Sequence, residues 1–433
     1  MSSDASRHIF INAGPIAHFS GGDINKPLVG LEMSSDDQLY EPGMAFVVEA
    51  ETNVFAKISP TEDILSEYGQ DSQTYDLQGH AIVPGYIDAH THLIWAGDRS
   101  NEIRMRQSGM SYSDIANAGG GIRHTVEQTR KCTNTNLLEI GISRLKTALK
   151  NGTTSMEAKS GYGLNIKSEI ALLQEYYHLS MVPNSLIYPE IKYTWMGAHD
   201  IPNGVTKSDY VQHLISEQLP SIVDEGLCPD YVDVFCEPGW FTLEDTEDIC
   251  RAAMDEDMEI RLHVDEFTDG GGLELAAELG AVTADHALHS TDDARAAAAD
   301  AGVVQGFLPG TPYVMGSEIW PPLQQCIDEE WPWTLATDFN PNCPILSLPM
   351  IGSLATHRLN IDPIAALAAV TRNAACTTPH SCGQHGILAE GAIANFSELQ
   401  SQHIESWCQS PGHSGIKKTW MHGFDFTSFK FRT

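Results

Sequence analysis

Apolar positions along this chain do not follow a single period. Through the middle of the sequence, short apolar or β-branched runs of strand length alternate with longer stretches in which apolar residues recur every three or four positions. Eight such runs read in order as "GYIDAHTH", "TTSMEAKSGYG", "YTWMGAHD", "DYVDVFCEPG", "EIRLHVDEF", "AVTADHALH", "GVVQGFLPG" and "WTLATDFNPN". Stretches of helical period separate most of them, for example "NLLEIGISRLKTALKNG" and "TLEDTEDICRAAMDEDM". Strand then helix, eight times over, predicts an α/β fold, the (β/α)8 TIM barrel. Six of the eight runs carry His, Asp or Glu near the C-terminal end, the face where such barrels place their active sites.

The two ends of the chain read differently. Residues 1–83 are punctuated by turn signals such as "SGGDINKPLVG" and "EPGM" around short apolar pieces such as "MAFVVEA", a pattern that predicts small antiparallel strands and no helices. Residues 388–433 repeat this character in "GILAEGAIANFSELQ" and "GIKKTWMHGFDF". The expected organisation is a barrel over 84–387 and a composite β-sandwich side domain built from the two flanking segments.

Composition narrows the partners. The 433 residues are 42% hydrophobic, enough for a barrel of roughly 250 residues and more. No apolar run of about 18 residues is present and the first residues do not read as a signal peptide, so the expectation is a cytoplasmic protein with no membrane span. A net charge of -33, from 58 acidic against 25 basic residues, repels nucleic acid and anionic membranes and argues against both as partners. It also means that an anionic ligand needs a local cation. Nine cysteines without a CxxC pair predict reduced thiols, not a disulfide framework.

The strongest chemical signal is "PGYIDAHTHLIWAG". A strand has a side-chain period of two, so His90 and His92 point the same way, and at the end of a barrel strand that way is inward. Two converging imidazoles can hold one divalent metal ion; the alternative is a hydrogen-bonded pair of core histidines. His263 and His286, near the ends of later runs, and Asp338 supply what a borderline metal would need, with a position left for water.

This arrangement, with HxH after the first strand, a His at the fifth, another at the sixth and an Asp at the eighth, resembles the amidohydrolase superfamily. Within it, "HTHLIWAGDRSNE", "SYSDIANAGGGI", "EAKSGYGL", "MGAHDIP", "DVFCE" and "ATDFNPN" are similar to the imidazolonepropionases, hydrolases of histidine degradation. The resemblance implies one Zn2+ or Fe ion per subunit on His90, His92, His263 and Asp338, and a homodimer. It implies hydrolysis of the cyclic amide of an anionic heterocycle, 4-imidazolone-5-propanoate, to N-formimidoyl-L-glutamate. Glu266 and His286 then handle protons, with Asp338 accepting one from the attacking water. Arg99, Tyr162 and His199 hold the substrate with Glu266, Tyr112 lines the pocket, and Asn340, Asn342 and Cys343 touch the reacting end.

Several residues keep a second reading. Arg99 is the local cation an anionic substrate needs, or a surface Arg paired with Asp98 or Glu102. Glu266 is a proton carrier or a helix N-terminal acid. Lys159, which in related enzymes is carboxylated between two metals, reads here as structural, and "GGGI" at 119–122 reads as a tight turn, since no P-loop Lys follows it. The chain departs from the family pattern at Asn342 and Cys343, where glycine and a hydroxyl residue are usual. That leaves open a deaminase or another cyclic amidase of the superfamily, and, in a different class, a catalytically silent barrel used for binding.

Overall fold

The computed structural model describes residues 6–68, 72–181, 188–378 and 381–426. Eight parallel strands follow one another around a barrel in sequence order: β1 (Tyr86–Asp88), β2 (Thr153–Lys159), β3 (Glu190–Ala198), β4 (Tyr231–Cys236), β5 (Glu259–Val264), β6 (Thr283–His286), β7 (Val304–Phe307) and β8 (Trp333–Leu335). Neighbours are in parallel register, with Phe235 beside His263 and His263 beside Asp285. The ring closes just beyond β1 and β8, where Asp338 N donates to His90 O (3.1 Å) and His92 N donates to Phe339 O (2.9 Å). These closing bonds fall on the segments bearing the expected metal ligands, so the barrel itself fixes their backbones.

The outer helices begin where their sequences supply a cap. Thr133, Asn165, Thr242 and Thr291 each accept a backbone N–H of the first helical turn, opening the helices Asn134–Lys150, Ile166–Ser180, Leu243–Met254 and Asp292–Asp300. Thr242 and Asp245 form a reciprocal capping box. A cap of this kind contributes about 1 kcal/mol. Each helix turns its apolar residues inward, as Leu137, Leu145, Ala148 and Leu149 show for the first.

The two ends of the chain form two further sheets. One is ordered Phe55–Pro60, Met44–Glu49, Arg7–Ile11, Ser72–Asp76; the other contains Ile82–Pro84, Phe396–Leu399 and Ile416–Met421. Aromatic rings from both meet between them: Phe10 packs edge-on against Phe396 (5.1 Å) and Trp420 (4.8 Å), and Phe46 against Phe396 (5.0 Å). Such pairs contribute about 0.5–1.5 kcal/mol each beyond their area burial. N- and C-terminal segments thus share one core, the composite side domain expected from the sequence.

Two expectations need correcting. The N-terminal segment is not purely antiparallel and helix-free: Arg7–Ile11 pairs parallel with Ser72–Asp76, and Thr61–Tyr68 is a helix. That helix buries only Ile64, so its sequence carries no apolar stripe to announce it. The cysteines are not all reduced either, since Cys376 and Cys382 form a disulfide. Among the described residues, no helix is long and apolar enough to cross a membrane.

Candidate active site

Residues at and just beyond the C-terminal ends of β1, β5, β6 and β8 converge on one buried cluster. His90 Nε2 and His92 Nε2 lie 3.6 and 3.7 Å from Asp338 Oδ1. His90 also groups with His263 and His286, with donor atoms within 4.8 Å of one another. Five of the six side chains expected at the reacting centre are therefore brought together, and the sixth, Glu266, stands beside His286. Backbone strain marks the place: His286 and Asp338 have φ of 70° and 49°, a region that non-glycine residues rarely enter and that clusters at functional sites.

The cluster suits a metal ion. His90 Nε2 is buried with no hydrogen-bond partner among the described residues while it faces a carboxylate, a costly placement without a ligand. The opposite nitrogen of two histidines is already held: His90 Nδ1 by Asp285 Oδ2 at 2.7 Å, and His263 Nδ1 by Asp233 Oδ1 at 2.9 Å. Carboxylate–histidine pairs of this kind orient metal ligands and raise their basicity. Burial pushes the pKa values of His90, His92 and His286 well down, so the imidazoles are neutral at pH 7 and able to ligate.

Lys159 sits beneath the cluster, fully buried, with Nζ 2.8 Å from Asp233 and 3.0 Å from Glu157. Burial alone would lower its pKa, but Asp233, Glu157 and Asp285 outweigh this and raise it. It is a fixed ammonium that balances the carboxylates behind the histidines.

Beside the cluster opens a small cavity. Ten expected residues line it: His92, Arg99, Tyr162, His199, His263, Glu266, His286, Asp338, Asn340 and Asn342. Arg99 is the cation anticipated for an anionic ligand, and it is also paired, donating through Nε and Nη2 to the two oxygens of Glu102 at 2.9 Å each. His199 stacks on His92 (4.9 Å) and is fixed through Nδ1 to Gly161 O at 3.0 Å; burial takes its pKa down to about 3. Glu266 Oε2 stands 3.7 Å from His286 Nε2, and burial, with the charges of Asp338 and Glu237, pushes the Glu266 carboxyl well above its ordinary range. Burial likewise takes Asp338 up to about 6, against the hydrogen bond from Thr311.

Asn340 organises its own loop, donating to Asp338 O and accepting from the N–H groups of Asn342 and Cys343. Cys343 does not line the cavity: it is fully buried, with Sγ 3.7 Å from Thr337 O. Tyr112 opens the helix Tyr112–Asn117, and its side chain lies outside the described residues.

Other residues enter that the sequence pattern did not single out. Asp233 and Asp285 support the histidines, Thr311 donates to Asp338 Oδ2, and Phe235, Phe267 and Met315 add apolar walls. An aspartate inside the apolar run "YVDVF" was a readable signal, because an unpaired buried carboxylate is costly. Thr311 follows a strand end with no chemical pattern around it.

No family model matches the chain. An imidazolonepropionase from Symbiobacterium thermophilum is 36% identical over 398 residues, covering 91% of each chain. One from Haloarcula marismortui is 36% identical over 357 residues, covering 82% of this chain and 83% of the relative. Among solved structures, the 5-methylcytosine deaminase of Klebsiella pneumoniae superposes with a TM-score of 0.69 at 14% identity over 98% of both chains. An adenosine deaminase from Xanthomonas campestris with bound zinc gives 0.63 at 16% identity over 96% of this chain and 92% of its own. At such identities the solved structures speak for the fold alone. The sequence relatives go further, at more than a third identity across nine-tenths of both chains, and by them this chain belongs to the imidazolonepropionase family.

Proposed function

We propose that this protein opens the ring of 4-imidazolone-5-propanoate by hydrolysing its cyclic amide, giving N-formimidoyl-L-glutamate in histidine degradation. The observation that carries the reading is one cavity lined both by the His92, His263 and Asp338 cluster and by Arg99, in a chain of this family. Arg99 suits the propionate, and the cluster suits the amide carbonyl. The barrel of residues 84–387 would carry this chemistry, with 1–83 and 388–433 as the side domain, in a cytoplasmic homodimer.

His90, His92, His263 and Asp338 would hold a single Zn2+ or Fe ion. When bound, such an ion acts as a Lewis acid and acidifies water. The chain's own groups supply the rest. Arg99, Tyr162 and His199 orient the substrate. Asp338, with Oδ2 held by Thr311, accepts the proton of the attacking water. Glu266, whose carboxyl burial holds well above its ordinary range, gives a proton to the departing ring nitrogen, with His286 Nε2 at 3.7 Å placed to return it. Phe235 and Phe267 exclude bulk water.

The direct test incubates the protein with 4-imidazolone-5-propanoate and follows the product by mass. One water added with the ring opened and no ammonia released supports the reading. No turnover of this compound, together with ammonia released from a heterocycle that bears an exocyclic amino group, would identify a deaminase instead.

A further inference from the structure

The "AGGGI" turn and the helix beside it have no part in the chemistry above, yet they enclose a buried charge. Glu102 is 2% exposed and does not line the cavity. Its two oxygens take Nε and Nη2 of Arg99, and Oε1 also accepts Gly121 N at 2.8 Å. Gly120 leaves the room for this: a Cβ there would come within 2.8 Å of Glu102 Oε1. A second guanidinium stands close by, with Arg106 Nη1 3.8 Å from Glu102 Oε2. That nitrogen instead donates to Asn342 Oδ1 at 2.8 Å, on the cavity-lining loop after β8.

We infer that Glu102 is the positioning residue for Arg99, that the glycine turn is the seat of Glu102, and that Asn342 keeps Arg106 from competing for the same carboxylate. The inference rests on the reading of Arg99 as the substrate's carboxylate partner. An Arg in a strongly acidic chain has many carboxylates to turn to. A buried, bidentate partner fixes the plane of its guanidinium before substrate arrives, which lowers the ordering cost of binding. Asn342, where the family pattern has glycine, then has a definite role, because its amide oxygen occupies the Arg106 nitrogen nearest to Glu102.

The test uses the metal-loaded enzyme and three measurements: KM and kcat for 4-imidazolone-5-propanoate, the Kd of imidazole-4-propanoate, and the Kd of imidazole, which lacks the carboxylate. E102Q and G120A perturb the same contact from two sides; the methyl added at 120 would also come within 2.8 Å of Ile115 Cγ2, so circular dichroism must show that G120A keeps its fold. Each should raise KM and the imidazole-4-propanoate Kd roughly tenfold, leaving kcat and the imidazole Kd within about twofold. Neither should add to the loss in an R99A background. N342G should raise KM several-fold, and R106A added to it should restore most of the loss. The inference is overturned if E102Q and G120A cost as much in the R99A background as in the native protein, or weaken imidazole as much as imidazole-4-propanoate. Persistence of the N342G loss in R106A refutes the competition between the two guanidinium groups. An R99A variant with native kcat/KM would be a separate failure, that of the carboxylate reading itself. If E102Q does not fold, E102D, one methylene short of the bidentate contact, makes the same comparison.

Discussion

Asp285→Asn tests how far the carboxylates behind the histidines set metal affinity. Asp285 is 1% exposed and receives His90 Nδ1 at 2.7 Å through Oδ2. The same oxygen lies 4.0 Å from Lys159 Nζ and 3.8 Å from Arg261 Nη1. Asparagine keeps the shape and one acceptor oxygen but removes the charge that makes His90 a stronger donor of electron density to a ligand. Loss of such a partner costs 10–100-fold in metal affinity, or about 1.4–2.8 kcal/mol. The upper part of that range is expected, because the remaining amide must accept from His90 between two cations that an aspartate would have balanced. The assay is competition of zinc between chelator-stripped protein and a fluorescent chelator at neutral pH, with circular dichroism to confirm that the fold persists. Asp233→Asn should do the same to His263, whose Nδ1 it holds at 2.9 Å. Because Lys159 contacts both carboxylates, the double variant should lose less than the sum of the two single losses. A zinc Kd for D285N within threefold of native, in a folded protein, would show that the His90–Asp285 bond does not tune the site.

Three further outcomes follow from the same geometry. Arg99→Ala should lower kcat/KM by roughly 10–100-fold, the worth of a hydrogen bond to a charged group, and a substrate analogue without the carboxylate should lose little; equal losses on both would make Arg99 structural. Glu266→Gln should lower kcat by about 10²–10⁴-fold with metal content unchanged by elemental analysis, and native kcat would remove Glu266 from proton transfer. His18, buried against Tyr40 (4.0 Å), has its pKa lowered by burial to about 4, so the unfolded chain takes the proton first. Its contribution is whole above about pH 6.5 and lost towards pH 4, on the order of 2–3 kcal/mol; His18→Gln should narrow the difference between urea stabilities at pH 7.5 and 4.5, and an unchanged difference would contradict it.

The barrel was legible because its strands are buried on both faces and so write themselves as apolar runs, while helices write a period near 3.6. The cluster of histidines and Asp338 was legible for the same geometric reason, since a period of two sends His90 and His92 to one side. What local pattern does not encode is the partner. The alternation in Arg7–Ile11 predicts a strand, but nothing in it says that Ser72–Asp76 will lie parallel beside it. The disulfide between Cys376 and Cys382 likewise has no CxxC signature in the sequence. Cys343 follows Asn342 directly, yet Asn342 lines the cavity while Cys343 packs inward towards Thr337 O. The departure from the family at 343 is therefore a matter of core packing, whereas that at 342 reaches the cavity.

Arg99 shows why two readings of one residue need not compete. An Arg three residues before a Glu is the sequence pattern of a surface ion pair, worth a few tenths of a kcal/mol and of no functional weight. An Arg beside HxH in an acidic chain is the pattern of an anion-binding group. Under the proposed function both hold at once, because burial changes what the pair is for. At 3% and 2% side-chain exposure, Arg99 and Glu102 cannot be a solvated pair, and each unpaired would be costly to hold. Paired, they place a guanidinium at the cavity wall with two of its nitrogens fixed. A net charge of -33 supplies no long-range attraction for an anionic substrate, so recognition has to be local and preorganised. A buried carboxylate that never touches the ligand is a physical means to that end.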